Sequence, residues 1–412
     1  MKLTILTQFY PPDYAATGQL IEELATELGN KGLKVQVFSS QPSYAYEQEV
    51  APVQEIKNGI SVKRTKISRI WPKRIRGRAV GGLLYSLRML LKLRHSSRRG
   101  DLLLVTTEPP YLPCVAYLLN FVYHSPYICL IYDLYPDVAI NLGVIKQQHW
   151  VAKIWHYCNR LTWGKAREII VLTDTMKDKV LSHCPELEGK VHSIPNWFSA
   201  SPIAYFAKEE NWFAQKYNLD KVFTVLYSGN MGRCHDLKTV METAFILSDK
   251  PVQFIFITRG AKVKYCQDFV AEHQLHNCLF LPLQPKENLP YSLAACDLSL
   301  VTIDANMEGL VAPSKLYGCL AAGRPIAVVC EHHSYLRKIL AEARCGQAFD
   351  NGDAQGLSKF ILILMSQPEK GQEMGKRAQT YLLEHFTLQK ISQDYYNVIM
   401  GLPVEALSDG QK

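Results

Sequence analysis

Pro313-Ser314-Lys315-Leu316-Tyr317-Gly318-Cys319-Leu320-Ala321-Ala322-Gly323-Arg324-Pro325, followed by Ile326-Ala327-Val328-Val329, reads as a short loop, a helix, a glycine stop and a buried strand. The first turn of a helix has unpaired N–H groups and a partial positive charge. Ser314 and Lys315 are therefore placed to hold a phosphate through backbone amides, a hydroxyl and an ammonium. Gly323 supplies a left-handed cap, and Pro325 forbids continuation. The plainer reading of the same residues is a buried helix with a proline at its first position.

Outward from this stretch the same helix-then-strand rhythm recurs, the pattern of a parallel sheet covered on both faces. In the first half, strands are expected near Lys2–Thr7, Lys34–Phe38, Leu102–Thr106, Tyr127–Tyr132, Glu168–Leu172 and Val191–Ile194, with helices between them such as Gly18 to Gly29. Ile194-Pro195-Asn196-Trp197-Phe198-Ser199-Ala200-Ser201-Pro202 breaks the rhythm and reads as the start of a linker. After it the pattern restarts at Phe223–Tyr227, with Ser228-Gly229-Asn230-Met231-Gly232-Arg233 as a tight glycine turn before a helix over Asp236–Leu247. Strands follow at Gln253–Ile257, Cys278–Leu281, Leu298–Val301 and Ile326–Val329, and the tail from Gly352 to about Met400 reads as two or three helices. The fold class is thus α/β: two doubly wound, Rossmann-like domains, over residues 1–198 and 199–385, facing a cleft at their strand ends. Residues 386–412 form a terminal helix and tail that pack back towards the first domain.

At 412 residues the chain is too long for one ordinary core, and at 48% apolar residues it has material for two. Eleven cysteines, an odd number with no Cys-x-x-Cys, read as reduced, mostly buried thiols of a cytosolic protein rather than a disulfide frame or a zinc site. The N-terminal apolar run is too short for a signal peptide. The longest one, Val115–Tyr132, contains Asn120, His124, Ser125 and Pro126, which suits a buried helix and strand better than a membrane span.

The net charge of +8 is local: Lys63–Arg99 carries thirteen Lys and Arg and no acid, leaving the remainder at −5. Within it, Val80, Leu83, Leu84, Leu87, Leu90 and Leu91 recur at helical spacing, with Arg88, Lys92 and Arg94 able to face away. A cationic amphipathic helix beside Arg69-Ile70-Trp71-Pro72-Lys73-Arg74-Ile75-Arg76 points to an anionic membrane surface or a phosphate-rich ligand; the plainer alternative is a core helix next to a solvated basic loop. No nucleic-acid module accompanies the charge.

The ordered set Phe9-Tyr10-Pro11-Pro12, Thr17-Gly18, Leu28-Gly29-Asn30-Lys31-Gly32-Leu33-Lys34-Val35, Tyr132-Asp133-Leu134-Tyr135-Pro136-Asp137, Pro195-Asn196-Trp197, Tyr227-Ser228-Gly229-Asn230-Met231-Gly232 and Pro313-Ser314-Lys315 resembles glycosyltransferase family 4. The likeness is to its bacterial branch that builds exopolysaccharide and other envelope glycans, and it covers about residues 1–390. It implies a GT-B fold and transfer of a sugar from a nucleotide sugar with retention of configuration. The C-terminal domain would hold the nucleotide diphosphate and the N-terminal domain the acceptor. It implies no metal or other cofactor, because cations and helix ends neutralise the leaving diphosphate, and the chain has no Asp-x-Asp.

By position in the motifs, the Thr17-Gly18 turn would bring backbone amides to the diphosphate, although Gly18 also fits a simple tight turn. Asn230 and Arg233 lie where the family often places phosphate-binding cations, with Lys315 as a second cation and Arg259 as a further phosphate contact. Asp133 and Asp137, just after a buried strand, could orient or deprotonate the acceptor hydroxyl, or simply cap a helix or turn. The family's E-x7-E glutamates fall at Leu310 and Gly318, so neither is kept, and Glu308 could substitute for the first. The reading put first is an active transferase at the inner face of a membrane, acting on a lipid-linked or growing glycan. A non-catalytic scaffold of the same fold and a nucleotide-sugar epimerase are the alternatives.

Overall fold

The computed structural model describes residues 1–13, 16–42, 51–65, 75–198 and 207–403. The chain divides into two compact units: Met1–Trp197 together with Leu388–Lys412, and Phe198–Thr387. The crossings differ from the expected 198/199 and 385/386 by one or two residues. The first lies before Phe198, whose N–H donates to Phe386 O (3.1 Å) inside the second unit.

In the first unit the strands are β1 (Lys2–Leu6), β2 (Lys34–Ser40), β3 (Gln54–Lys57), β4 (Ile60–Thr65), β5 (Leu102–Thr106), β6 (Tyr127–Ile131), β7 (Glu168–Val171) and β8 (Val191–Ser193). They form one sheet in the order β3-β4-β2-β1-β5-β6-β7-β8, parallel except for the β3–β4 hairpin. That hairpin is not among the expected strands, although its turn, Asn58-Gly59 at φ +50° and +76°, is the strongest short-range hairpin signal. Strands β5 and β6 are buried along their whole length, which is why they read as unbroken apolar runs. Between the strands lie α1 (Ala16–Asn30), α2 (Ile75–Leu93), α3 (Ser96–Arg99), α4 (Leu112–Tyr123), α5 (Asp137–Asn141), α6 (Trp150–Lys165) and α7 (Asp174–His183). The apolar run Val115–Tyr132 is thus α4 followed by β6, and no helix among the described residues is long and apolar enough to cross a membrane.

One sequence expectation is corrected here. Thr17 and Gly18 lie inside α1 rather than in a turn. Gly18 is there because the helix presses on the preceding backbone: an added Cβ would sit 3.1 Å from Phe9 C and Tyr10 N. In α2 it is Tyr85, Met89 and Leu93 that enter the core, whereas Val80, Leu83, Leu87 and Leu91 face outward. Arg64, counted with the basic segment, is buried, donating to Pro52 O, Pro11 O and Glu55 Oε1. Residues 66–74, with Arg69, Lys73 and Arg74, lie outside the described residues.

The second unit holds β9 (Phe223–Asn230), β10 (Val252–Arg259), β11 (Cys278–Leu281), β12 (Leu298–Thr302), β13 (Ile326–Val329) and β14 (Gly346–Phe349) in a parallel sheet ordered β11-β10-β9-β12-β13-β14. The glycine turn is shorter than expected, because β9 continues through Gly229 to Asn230 in register with Arg259. Its helices are α8 (Trp212–Lys216), α9 (Lys238–Ile246), α10 (Val263–Glu272), α11 (Leu289–Ala294), α12 (Lys315–Ala321), α13 (Tyr335–Ala343), α14 (Ala354–Ser366) and α15 (Pro368–His385). The core gathers Tyr227, Phe254, Phe256, Leu300 and Phe360 between sheet and helices. Helix α12 ends as its sequence demands, with Gly323 at φ +63°. Helix α16 (Leu388–Met400) returns to the first unit and packs on α1, where Tyr395 meets Trp197 edge-on at 6.2 Å.

Candidate functional site

Each sheet has one place where the strand order reverses, and there the loops leaving neighbouring strands diverge and open a crevice at the carboxyl ends. In the first unit the reversal falls between β1 and β5. The loop after β5 returns over it: Gln8 N–H donates to Glu108 O (2.8 Å), and Thr17 in the first turn of α1 donates its hydroxyl to Glu108 Oε1 (3.1 Å). Glu108 Oε2 is buried and has no hydrogen-bond partner among the described residues. Asp133, two residues beyond β6, is near enough for its charge to act on Glu108. Burial, followed by that charge, pushes the Glu108 carboxyl up to about 8, against the lowering effect of Thr17. Burial raises Asp133 to about 6. Both carboxyls are thus raised above the ordinary carboxylate range, Glu108 further than Asp133, and a pair whose affinities for the proton are pushed apart can donate to one oxygen and accept from another. Sequence motifs point to Thr17 and Asp133 but not to Glu108. Its one local signal is a carboxylate directly after a buried strand and before two prolines, Thr106-Thr107-Glu108-Pro109-Pro110.

Asp137 is not part of this group. It opens α5, and its carboxylate accepts from His183 Nε2 (3.1 Å) and lies 3.9 Å from His156 Nδ1. Burial would raise its pKa, but the His183 hydrogen bond and the neighbouring positive groups outweigh it, so the net shift is downward. His156 is lowered by burial, partly offset by Asp137. One ligand atom from each of the three lies within 4.8 Å of the others, a spacing that could hold a divalent ion and that equally serves to tie α5, α6 and α7 together.

In the second unit the reversal falls between β9 and β12. Lys315, at the start of α12, sends Nζ to Asn230 O at the end of β9 (2.9 Å), with the Tyr227 ring 5.1 Å away. Burial lowers this ammonium to about 8. His235 donates Nδ1–H to Thr302 O (2.9 Å) at the end of β12; burial first, then Lys315, push its pKa down to about 3, so the ring is neutral and Nε2 is an acceptor. Lys262 clamps the two loops, donating to His235 O and Asp304 Oδ2 (both 2.6 Å), while Asp304 N–H donates to Cys234 O. Gly260 is required by this crowding: at φ +131°, a Cβ would come within 2.5 Å of Asn230 Oδ1.

Of the residues named from sequence, Lys315 and Asn230 meet directly at this reversal and Arg259 closes β10 opposite Asn230, while Arg233 is exposed in the loop after β9. Ser314 is exposed at the cap position of the short α12, with no side-chain capping bond. Glu308 is buried, and its Oε1 accepts from Tyr335 N–H (3.4 Å) at the start of α13. Leu310 is buried, whereas a Cβ at Gly318 would meet only Leu293 Cδ1 at 3.6 Å, so space does not forbid a side chain there. His235 and Lys262 are not legible in the sequence, because nothing local to them marks which backbone carbonyls they will reach.

Two parallel α/β sheets, each gathering charged and polar groups at its reversal point, define a GT-B glycosyltransferase. The chain belongs to glycosyltransferase family 4: residues 17–201 match Glycosyltransferase Family 4, and residues 208–381 match Glycosyl transferases group 1. It is 24% identical over 298 residues to the probable glycosyltransferase WbjE of Pseudomonas aeruginosa, covering 72% of this chain and 74% of that one. It is 25% identical over 213 residues, 51% of this chain and 52% of the other, to the putative colanic acid biosynthesis glycosyl transferase WcaI of Escherichia coli K12. Among solved structures it is similar to HepE of Anabaena in complex with UDP-glucose, with a TM-score of 0.71 at 14% identity over 98% of this chain and all of that one.

Proposed function

We propose that this glycosyltransferase moves a sugar, with retention of configuration, from a nucleotide-diphosphate sugar to a hydroxyl of a lipid-linked or growing envelope polysaccharide at the inner face of a membrane, without a metal. The observation that carries the reading is the crevice of the second unit. There Lys315 reaches Asn230 across the sheet reversal, Arg233 is exposed in the loop that follows Asn230, and neither cation forms an ion pair among the described residues. Transfer breaks the bond from the sugar C1 to the diphosphate oxygen and forms one from C1 to the acceptor oxygen. The charge that develops on the diphosphate falls to Lys315, Arg233 and the adjacent amides. Neutral His235 Nε2 accepts from a sugar hydroxyl. In the first unit Asp133 and Glu108 take the acceptor, with Asp133 receiving or orienting the hydroxyl proton. The UDP-glucose bound by HepE supports a nucleotide sugar as donor, and the similarity to WcaI, a putative colanic acid biosynthesis glycosyl transferase, supports a polysaccharide product.

The test is calorimetry with UDP, GDP and ADP on the parent and on Lys315→Ala and Arg233→Ala. Charge-assisted hydrogen bonds to phosphate contribute about 1.5–3 kcal/mol each, so one of the nucleotides should bind and each variant should bind it at least about tenfold more weakly. Unchanged affinity in both variants would remove the diphosphate from this crevice.

A further inference from the structure

A helix that is apolar on every side is normally buried, because one face meets the core and the other needs a second apolar phase. Helix α2 carries basic residues but has apolar side chains both on its core side and on the side opposite. Tyr85, Met89 and Leu93 are wholly buried on one side, and on the other Val80, Leu83, Leu87 and Leu91, spaced three and four apart, form an outward stripe. The neighbouring α4 contains no charged residue. It buries Leu112, Val115, Ala116 and Leu119, yet turns Leu118, Phe121 and Val122 outward, Phe121 at 73% exposure. Next to it, α6 presents Trp150, Ile154 and Tyr157, the two aromatics 66% and 63% exposed.

These are one surface. Gly82 of α2 lies against Pro109 and Tyr111 just before α4, so closely that a Cβ would come 2.8 Å from Pro109. Tyr111 meets Trp155 of α6 at 6.2 Å, and Arg99, closing α3, lies 4.1 Å over the Tyr123 ring at the end of α4. A contiguous exposed apolar face of this kind marks a docking site rather than ordinary surface scatter.

Charge chooses the occupant. Helices α2, α4 and α6 contain no Asp or Glu, and their described side chains include Arg88, Lys92, Lys153, Arg160 and Lys165, of which Arg160 pairs with Glu186 (3.6 Å); Arg94 follows α2 and Arg98 lies in α3. A second copy of this face would set like charges against each other, whereas an anionic bilayer offers an apolar interior beneath a negative headgroup layer. The exposed Trp150 and Tyr157 are of the residue types that suit the headgroup boundary. Resting on the function proposed above, we infer that the outer face of α2, α4 and α6 lies in the interface of an anionic lipid bilayer, with leucine and phenylalanine side chains inserted among the acyl chains. Attachment is therefore apolar as well as electrostatic, and it uses α4 and α6, far in sequence from the basic segment.

The experiment is flotation of the full chain with phosphatidylglycerol/phosphatidylcholine vesicles at low salt and at about 0.5 M salt, alongside light scattering and nucleoside diphosphate binding. The parent should float with anionic vesicles and keep a measurable share at high salt, since screening removes only the electrostatic part. The combined Leu83→Ser, Leu87→Ser, Phe121→Ser and Ile154→Ser variant should partition at least about 100-fold less well at low salt, with nucleotide binding unchanged as the check on folding. The inference is overturned if the parent ignores anionic vesicles, if the variant floats like the parent, or if the parent is a dimer that the variant makes monomeric with flotation unaltered. Flotation as expected, combined with no transfer to any lipid-linked acceptor, would leave this inference standing and defeat the proposed acceptor.

Discussion

Replacing Glu108 by Gln isolates the carboxyl at the first unit's sheet reversal. The carboxyl is raised from an ordinary 4.5 to about 8, chiefly by burial. A raised carboxyl pKa means that the folded state holds a proton which the unfolded chain releases, so stability falls as pH rises between the two values. At about 1.36 kcal/mol for each pH unit of that interval, the whole of it would give roughly 5 kcal/mol; because the residue is partly solvated, on the order of 2–4 kcal/mol is the working expectation. The glutamine side chain keeps an acceptor for the Thr17 hydroxyl and cannot titrate. The stability of Glu108→Gln relative to the parent should therefore grow by that amount from pH 5 to pH 9, with most of the gain above pH 6. Urea unfolding followed by tryptophan fluorescence is the assay, since five of the six tryptophans precede residue 198 and report the first unit. Parallel stability curves for parent and variant across this range would show that Glu108 titrates normally, and the paired-carboxyl description of the site would be withdrawn.

Lys315 titrates near 8 in the free protein, and a bound diphosphate would hold it protonated; affinity should thus be flat below pH 8 and decline above it by up to about tenfold per unit. Lys315→Arg, which cannot lose its proton, should abolish that decline in calorimetry, and an identical pH profile in both proteins would refute the assignment. Transfer should survive excess chelator, because amides and cations neutralise the leaving group; activity lost to chelator and restored by magnesium or manganese would overturn the metal-free reading. Asp133→Asn should lower kcat by at least about tenfold with donor affinity unchanged, since its task lies in the transition state. A rise in the donor dissociation constant of similar size would place Asp133 at the donor instead.

Periodicity and punctuation are local properties, and they carried what is local here. The apolar runs at Leu102–Thr106 and Tyr127–Tyr132 announce strands because both faces of a parallel sheet are covered, and Gly323 before Pro325 marks a helix end because only glycine enters the left-handed region cheaply. Motif order brought Lys315, Asn230, Arg233 and Asp133 into view for the same reason: each stands at a strand end or helix start. The sequence could not tell which ends would be neighbours, because that follows from strand order. The reversal between β1 and β5 brings Glu108 to Thr17, ninety-one positions away in the chain, and the one between β9 and β12 brings His235 to Thr302 and Lys262 to Asp304. Nor could helical spacing show which side of α2 meets the core, since both sides are apolar, and only packing against the sheet turned Tyr85 and Met89 inward and left the leucine stripe outside. The sequence by itself thus determined most of the strands and helices, their class and the candidate cations, through rules that act over a few residues, while the β3–β4 hairpin and β14 escaped it. Partners, burial, pKa values and the exposed apolar face were decided by tertiary structure, because they depend on contacts between segments that no local pattern encodes.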